Sequence, residues 1–145
     1  MELLSDSESA ELMELISGIN WQYRQAVDLR LKPKGLPIEQ YRILESLLRK
    51  DGQSMRELAD EVFVDSASLT KIIDRMIGSA DVYRAPEPTD RRKVLIFISE
   101  KGHKTLAELR EALEGSRSGM VNRLGPERAA QLRELLQGML SDSER

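Results

Sequence analysis

Residues Ser54 to Ser99 place two short amphipathic helices in tight succession ahead of two strand-like runs, an order that few folds accommodate. Ser54-Met55-Arg56-Glu57 is a capping box, with Ser at the N-cap and Glu three residues on. Leu58 and Ala59 give the first helix its apolar side. Phe63-Val64-Asp65 makes the turn, and either Asp65 or Ser66 can cap the second helix. From Ser66 to Met76, Leu69, Ile72, Ile73 and Met76 fall at i, i+3, i+4 and i+7, which predicts one buried stripe. Ser66, Ser68, Thr70, Lys71 and Arg75 lie off that stripe, small and polar towards the N-terminal end. Short polar side chains at the start of a helix suit entry into a DNA major groove, where backbone and bases approach closely.

Beyond Met76, Gly78 to Asp81 closes the helix, with Gly78 available as its terminator. Val82-Tyr83-Arg84 and Val94 to Ile98 read as two strands around a nine-residue loop, Ala85 to Lys93, whose prolines stiffen it. Arg91, Arg92 and Lys93 stand at or just past its tip, within reach of phosphates or a minor groove. The expected fold is mainly α with a small β-hairpin wing (α+β), a winged helix-turn-helix.

Helical extensions flank this centre. Met1 to Ser9 reads as a fraying end, although Ser5 and Glu8 have capping-box spacing. Leu12, Leu15, Ile16, Ile19, Tyr23, Ala26 and Val27 recur at helical spacing from about Ser9 to Leu31. Pro33, Gly35 and Pro37 break the chain before a helix from Ile38 to Lys50, with Ile38, Tyr41, Leu44, Leu47 and Leu48 inward. Ser99 caps a helix running to about Leu124, in which Gly115 and Gly119 mark a bend or close crossing. Gly125-Pro126 starts a last helix that buries Ala129, Leu132, Leu135, Leu136 and Met139. A small winged helix cannot cover all these apolar faces, so the expectation is a homodimer. Its parts are a dimerisation helix over 1–35, a DNA-binding domain over 36–100 and dimerisation helices over 101–145. Two reading helices on a two-fold axis suit a pseudo-palindrome.

Composition excludes other classes. The chain has 145 residues, no cysteine and one histidine, His103. Disulfides, Cys-ligated zinc and thiol redox chemistry are therefore absent, and an imidazole-rich metal site cannot be built within one chain. No nucleophile motif or phosphate-binding glycine loop accompanies His103, which reads as a helix-start residue, so neither an enzyme nor a cofactor is expected. No apolar run approaches the roughly 20 residues that span a bilayer. The acidic N-terminus is wrong for a signal peptide, and the expected location is cytoplasmic. A net charge of −3 is unusual for a DNA binder, but it is unevenly placed. Residues 1–20 hold five acids and no bases, whereas Ser66 to Leu95 hold six bases against four acids. A winged helix serving as an assembly module without DNA is the rival reading that this charge favours.

Several motifs in one order resemble the MarR (multiple antibiotic resistance regulator) family of bacterial transcription factors. They are Leu36-Pro37-Ile38-Glu39-Gln40-Tyr41-Arg42-Ile43-Leu44, Glu57-Leu58-Ala59-Asp60, Leu69 to Met76, and Asp90-Arg91-Arg92 followed by Ser99-Glu100-Lys101-Gly102. The resemblance implies a homodimeric regulator, usually a repressor, that binds double-stranded operator palindromes and is often released by small aromatic anions. It places Ser66, Ser68, Thr70 and Lys71 in the major groove, with Ser54, Arg56 and Arg75 on the same DNA-binding surface. Asp90 would orient a wing arginine, Arg91 or Arg92. For an effector, Trp21, Tyr23, Arg24, Tyr41 and Arg42 offer aromatic walls and cations, with ordinary core and interface packing as the alternative.

The chain also departs from that family's usual pattern. Ala80-Asp81-Val82 stands where Gly-Leu-Val is usual, so that corner must be rebuilt. Phe63 occupies a turn position where glycine is frequent, and a bulky residue disfavours positive φ. Lys71 replaces a commoner Arg and loses bidentate geometry with guanine.

Overall fold

Helix α2 (Ile38–Arg49) is the seat of the winged-helix core, because it presents Ile38, Tyr41, Ile43, Leu44 and Leu47 inward, each almost wholly buried. In this computed structural model residues 1–115 and 118–143 are described. They form two compact units: Asp28–Leu113, and Met1–Val27 together with the chain from Glu114 onward.

The first of these units contains the end of α1 (Asp6–Leu31), a 3-10 turn over Lys32–Lys34, α2, α3 (Met55–Val62) and α4 (Ser66–Gly78). It continues through β1 (Val82–Glu87), β2 (Asp90–Ile98) and α5 (Glu100–Ala112). Leu58 and Val62 from α3, Leu69, Ile73 and Met76 from α4, Ile96 and Ile98 from β2, and Leu106, Leu109 and Leu113 close around α2. The expected α4 stripe is present, with Ile72 half-buried at its margin. On α2, Ile43 rather than Leu48 faces the core, and Leu48 is 40% exposed. Across the domain, Arg110 on α5 makes a two-pronged ion pair with Glu45 on α2 at 2.8 and 2.7 Å.

Several boundaries differ from the sequence reading, each for a local reason. The Ser5–Glu8 capping box forms in both directions, so α1 begins at Asp6 instead of fraying to Ser9. The wing strands are longer than expected: Ala85 pairs with Leu95 and Pro86 with Val94, leaving only Pro88-Thr89 as the turn. Proline is tolerated there because β1 is an edge strand, whereas β2 also bridges Gln53 through Ile96. Helix α5 stops at Ala112, with Leu113 as its C-cap and Gly115 at φ 81°, and a separate α6 (Ser118–Asn122) follows. The expected single helix to Leu124 is therefore broken.

Phe63 adopts φ 56° despite its bulk and caps α3 in the left-handed region. The Arg42 guanidinium lies 5.5 Å from its ring centroid, a cation–π contact that offsets part of the backbone cost.

The other unit contains most of α1, α6 and α7 (Gly125–Ser143), the last with Pro126 in its first turn as expected. Many of its apolar residues stay uncovered within one chain. Leu12, Leu15, Ile19, Leu135 and Met139 are each at least half exposed, and Leu132 and Leu136 are 39% exposed. No helix among the described residues is long and apolar enough to cross a membrane.

Candidate nucleic-acid interface

The exposed face of α4 is built from its first two turns. Asp65 is the N-cap, accepting from the Ser68 amide at 2.9 Å and from the Ser68 hydroxyl at 2.9 Å. These bonds hold the Asp65 carboxyl below the usual aspartate range, the Ser68 amide first. Thr70 donates its hydroxyl to the Ser66 carbonyl at 2.9 Å. Ser68 and Thr70 thus have fixed hydroxyl orientations while remaining exposed, and Ser66, Lys71 and Arg75 are exposed beside them. On α3, Ser54 is the N-cap of a complete capping box with Glu57, and Arg56 in the first turn is exposed. Lys50 pairs with Glu57 at 2.5 Å, which lowers the Glu57 carboxyl and raises the Lys50 ammonium.

The wing presents its bases through a register shift. Pro86 faces Val94 and Glu87 faces Asp90, so Arg91, Arg92 and Lys93 have no counterpart on β1. They protrude as a three-residue bulge. Asp90 accepts from the Arg92 amide at 3.1 Å and from Arg92 Nε at 3.3 Å. The sequence left two candidate arginines for this carboxylate, and the geometry pairs it with Arg92. Arg84, at the other end of the hairpin, is committed to Asp74 on α4 at 2.8 Å.

The C-terminal end of α4 is rebuilt around Asp81. Gly78 does not terminate the helix; Ser79 is the C-cap and Ala80 takes the left-handed residue at φ 65°. Asp81 is 3% exposed. Its carboxylate accepts from the Ser79 hydroxyl at 2.8 Å and the Thr105 hydroxyl at 2.7 Å, with Lys101 Nζ at 3.6 Å. The sequence flagged this corner as a departure but gave no partners, since Lys101 and Thr105 come from α5.

Residues 36–94 match the family model described as MarR family. Over 100 residues the chain is 33% identical to the HTH-type transcriptional regulator TtmR of Methylorubrum extorquens (strain PA1), an alignment covering 69% of this chain and 51% of that regulator. The chain thus spans about half the length of that relative. It is 25% identical over 137 residues to the HTH-type transcriptional regulator MhqR of Bacillus subtilis (strain 168), covering 94% of this chain and 83% of MhqR. Among solved structures, a mutant MarR from E. coli in complex with operator DNA matches with a TM-score of 0.79 and 25% identity, over 94% of this chain and 99% of that one. Residues 36–94 thus carry the MarR-family domain.

The chain's relatives in that family are transcriptional regulators and not enzymes. The winged helix-turn-helix and the terminal helices expected from the resemblance are both present. The residues considered for an effector are divided between the two units. Trp21 is exposed and Tyr23 and Arg24 half-buried in one, whereas in the other Tyr41 is buried with its hydroxyl donated to Glu45 at 2.7 Å, and Arg42 stacks on Phe63.

Proposed function

We propose that this chain is a sequence-specific DNA-binding transcriptional regulator, acting as a homodimeric repressor at a pseudo-palindromic operator. The observation that carries the reading is the pairing of an exposed, hydroxyl-lined α4 with a wing bulge whose Arg92 is pre-oriented by Asp90. In this reading Ser66, Ser68, Thr70 and Lys71 meet the major groove. Ser54, Arg56 and Arg75 sit against the DNA backbone, and of the wing arginines Arg91 and Arg92 the one oriented by Asp90, Arg92, serves the minor groove. The residues of 36–100 form the DNA-binding domain, and those of 1–35 and 101–145 provide dimerisation. The uncovered Leu12, Leu15, Ile19, Leu135 and Met139 support pairing of two copies. The E. coli relative solved on operator DNA supports operator binding.

Release by a small aromatic acid completes the proposal.

The test is protection mapping on the DNA upstream of the gene at two salt concentrations, followed by addition of small aromatic acids. Specific protection of two half-sites roughly 10 bp apart, lost steeply with salt, is expected. Binding no tighter than to random DNA would overturn it.

A further inference from the structure

Asp81 is a buried carboxylate that the DNA-contacting surface does not use. Every polar atom it carries is nevertheless engaged at the junction of α4, β1 and α5. Its amide donates to the Met76 carbonyl at 3.0 Å, closing the end of α4. Its carbonyl accepts from the Ser99 amide at 3.0 Å and the Ser99 hydroxyl at 2.9 Å, at the start of α5. Its carboxylate is bridged by the Ser79 hydroxyl on one side and by Thr105 with Lys101 on the other. Lys101 also donates to the Ser79 carbonyl, and Ser99 to the Ala80 carbonyl. Gly102 makes this closeness possible, since a Cβ there would stand 2.1 Å from the Asp81 carbonyl oxygen.

We propose that Asp81 is a positioning residue for operator recognition: its carboxylate clamps the C-terminal end of α4 to the first turns of α5 and so sets the angle at which the N-terminal half of α4 meets DNA. This rests on α4 being the reading helix. The physical reason is leverage. A helix of this length is about 20 Å long, so a tilt of about 5° at the clamp moves its far end by roughly 2 Å. Base-edge hydrogen bonds operate over only a few tenths of an ångström, so such a shift breaks specific contacts. Phosphate attraction falls off slowly with distance and survives it. An apolar residue at this position would fill the space but could not bond both Ser79 and Thr105, so in this chain the angle depends on a directional clamp.

The experiment measures the affinity of the full chain for its mapped operator and for random DNA of equal length, with Asp81→Asn, Thr105→Val and the double variant. Circular dichroism fixes a temperature at which each variant is fully folded. The expected result is a loss of about tenfold in operator affinity for Asp81→Asn, the size of one charge-assisted hydrogen bond. Random-DNA affinity and its salt slope stay unchanged. Thr105→Val, nearly isosteric and milder for folding, moves the operator-to-random ratio in the same direction, and the double variant is less than additive. A wild-type ratio well above one that persists in both single variants, even with a lowered Tm, overturns the positioning role alone. A wild-type ratio near one, or an operator affinity unchanged in Lys71→Ala, overturns the reading-helix assignment and the positioning role with it.

Discussion

The Asp90 carboxylate holds Arg92 at both ends of the residue, accepting from its backbone amide at 3.1 Å and from its side-chain Nε at 3.3 Å. Arg92 is otherwise open to solvent, its side chain 93% exposed, so the pair contributes little to folding. Its effect is to pre-order a long flexible side chain, which in the proposed complex lowers the entropy lost on entering a groove.

Arg92→Ala is therefore expected to weaken operator binding by about 1–3 kcal/mol with Tm and dimer unchanged. Arg91→Ala, which Asp90 does not hold, should cost less. Asp90→Ala should fall between wild type and Arg92→Ala, since the guanidinium remains but is no longer ordered. Fluorescence anisotropy on the protected fragment ranks the three. Equal affinities across the series would remove the wing from the interface.

Lys71 is a point charge on the open face of α4, without the planar fork that reads guanine. Lys71→Ala should weaken operator and random DNA alike and reduce the slope of log affinity against log salt by about 1. A loss confined to the operator would instead make Lys71 a base contact.

The features legible in the sequence are those set within a few residues. Capping boxes at Ser5 and Ser54, the Asp65 cap and the α4 stripe each depend on neighbours three or four positions away, and each formed as spaced. The features missed depend on chain brought from afar or on a local rule outweighed. Sequence spacing ends the strands at Arg84 and Val94 because Pro86 argues against a strand until its edge position is known. Phe63 adopts the left-handed cap despite its bulk, with the Arg42 guanidinium of another helix against its ring. Asp81 could be marked as a misfit, but Thr105, 24 positions later, could not be named as its partner. For the proposed DNA-facing surface, spacing leaves Arg91 and Arg92 equivalent, and the bulged geometry of β2 is what pairs Asp90 with Arg92.

Gly102 packs against the Asp81 carbonyl more closely than any side chain allows. A Cβ would also meet Ile98 Cγ1 at 2.7 Å, and because one obstacle is backbone, relief requires moving α5 from the hairpin base. Gly102→Ala should destabilise the fold by about 3 kcal/mol, the upper part of the range for overpacking. Gly78→Ala, with nothing within 4 Å, should be neutral or slightly stabilising in the same urea titrations. Similar midpoints for the two variants would contradict the packing described.

Asp65 links the N-terminus of α4 to pH. Its carboxyl is held below the usual aspartate value, chiefly by the Ser68 amide and then by the Ser68 hydroxyl. A carboxyl depressed in the folded state stabilises the fold above its unfolded pKa, and that contribution fades as pH falls through the folded value. Asp65→Asn keeps a capping oxygen but cannot titrate. Wild type should therefore be more stable than Asp65→Asn at about pH 6, and the gap should close as the pH falls through and below the ordinary carboxylate range, near pH 4. Urea midpoints measured across that window check it; a constant gap would show that ionisation of Asp65 is not what stabilises the cap.

Leu135 on α7 is 66% exposed within one chain, and Met139, one turn on, is 51% exposed. A polar replacement there leaves the fold of the single chain nearly untouched, because little of the side chain is packed. If two copies bury this face, each Leu135 contributes about 1.5–3 kcal/mol and a two-fold axis applies the loss twice. Leu135→Asp also places a carboxylate in an apolar seam, where it cannot ionise without cost. The expected outcome is a monomer at micromolar concentrations that keeps its helical circular dichroism but loses operator affinity, since one winged helix engages only one half-site. Sedimentation velocity on wild type and variant decides it. A variant that still sediments as a dimer would place the pairing surface elsewhere, on helices other than α7.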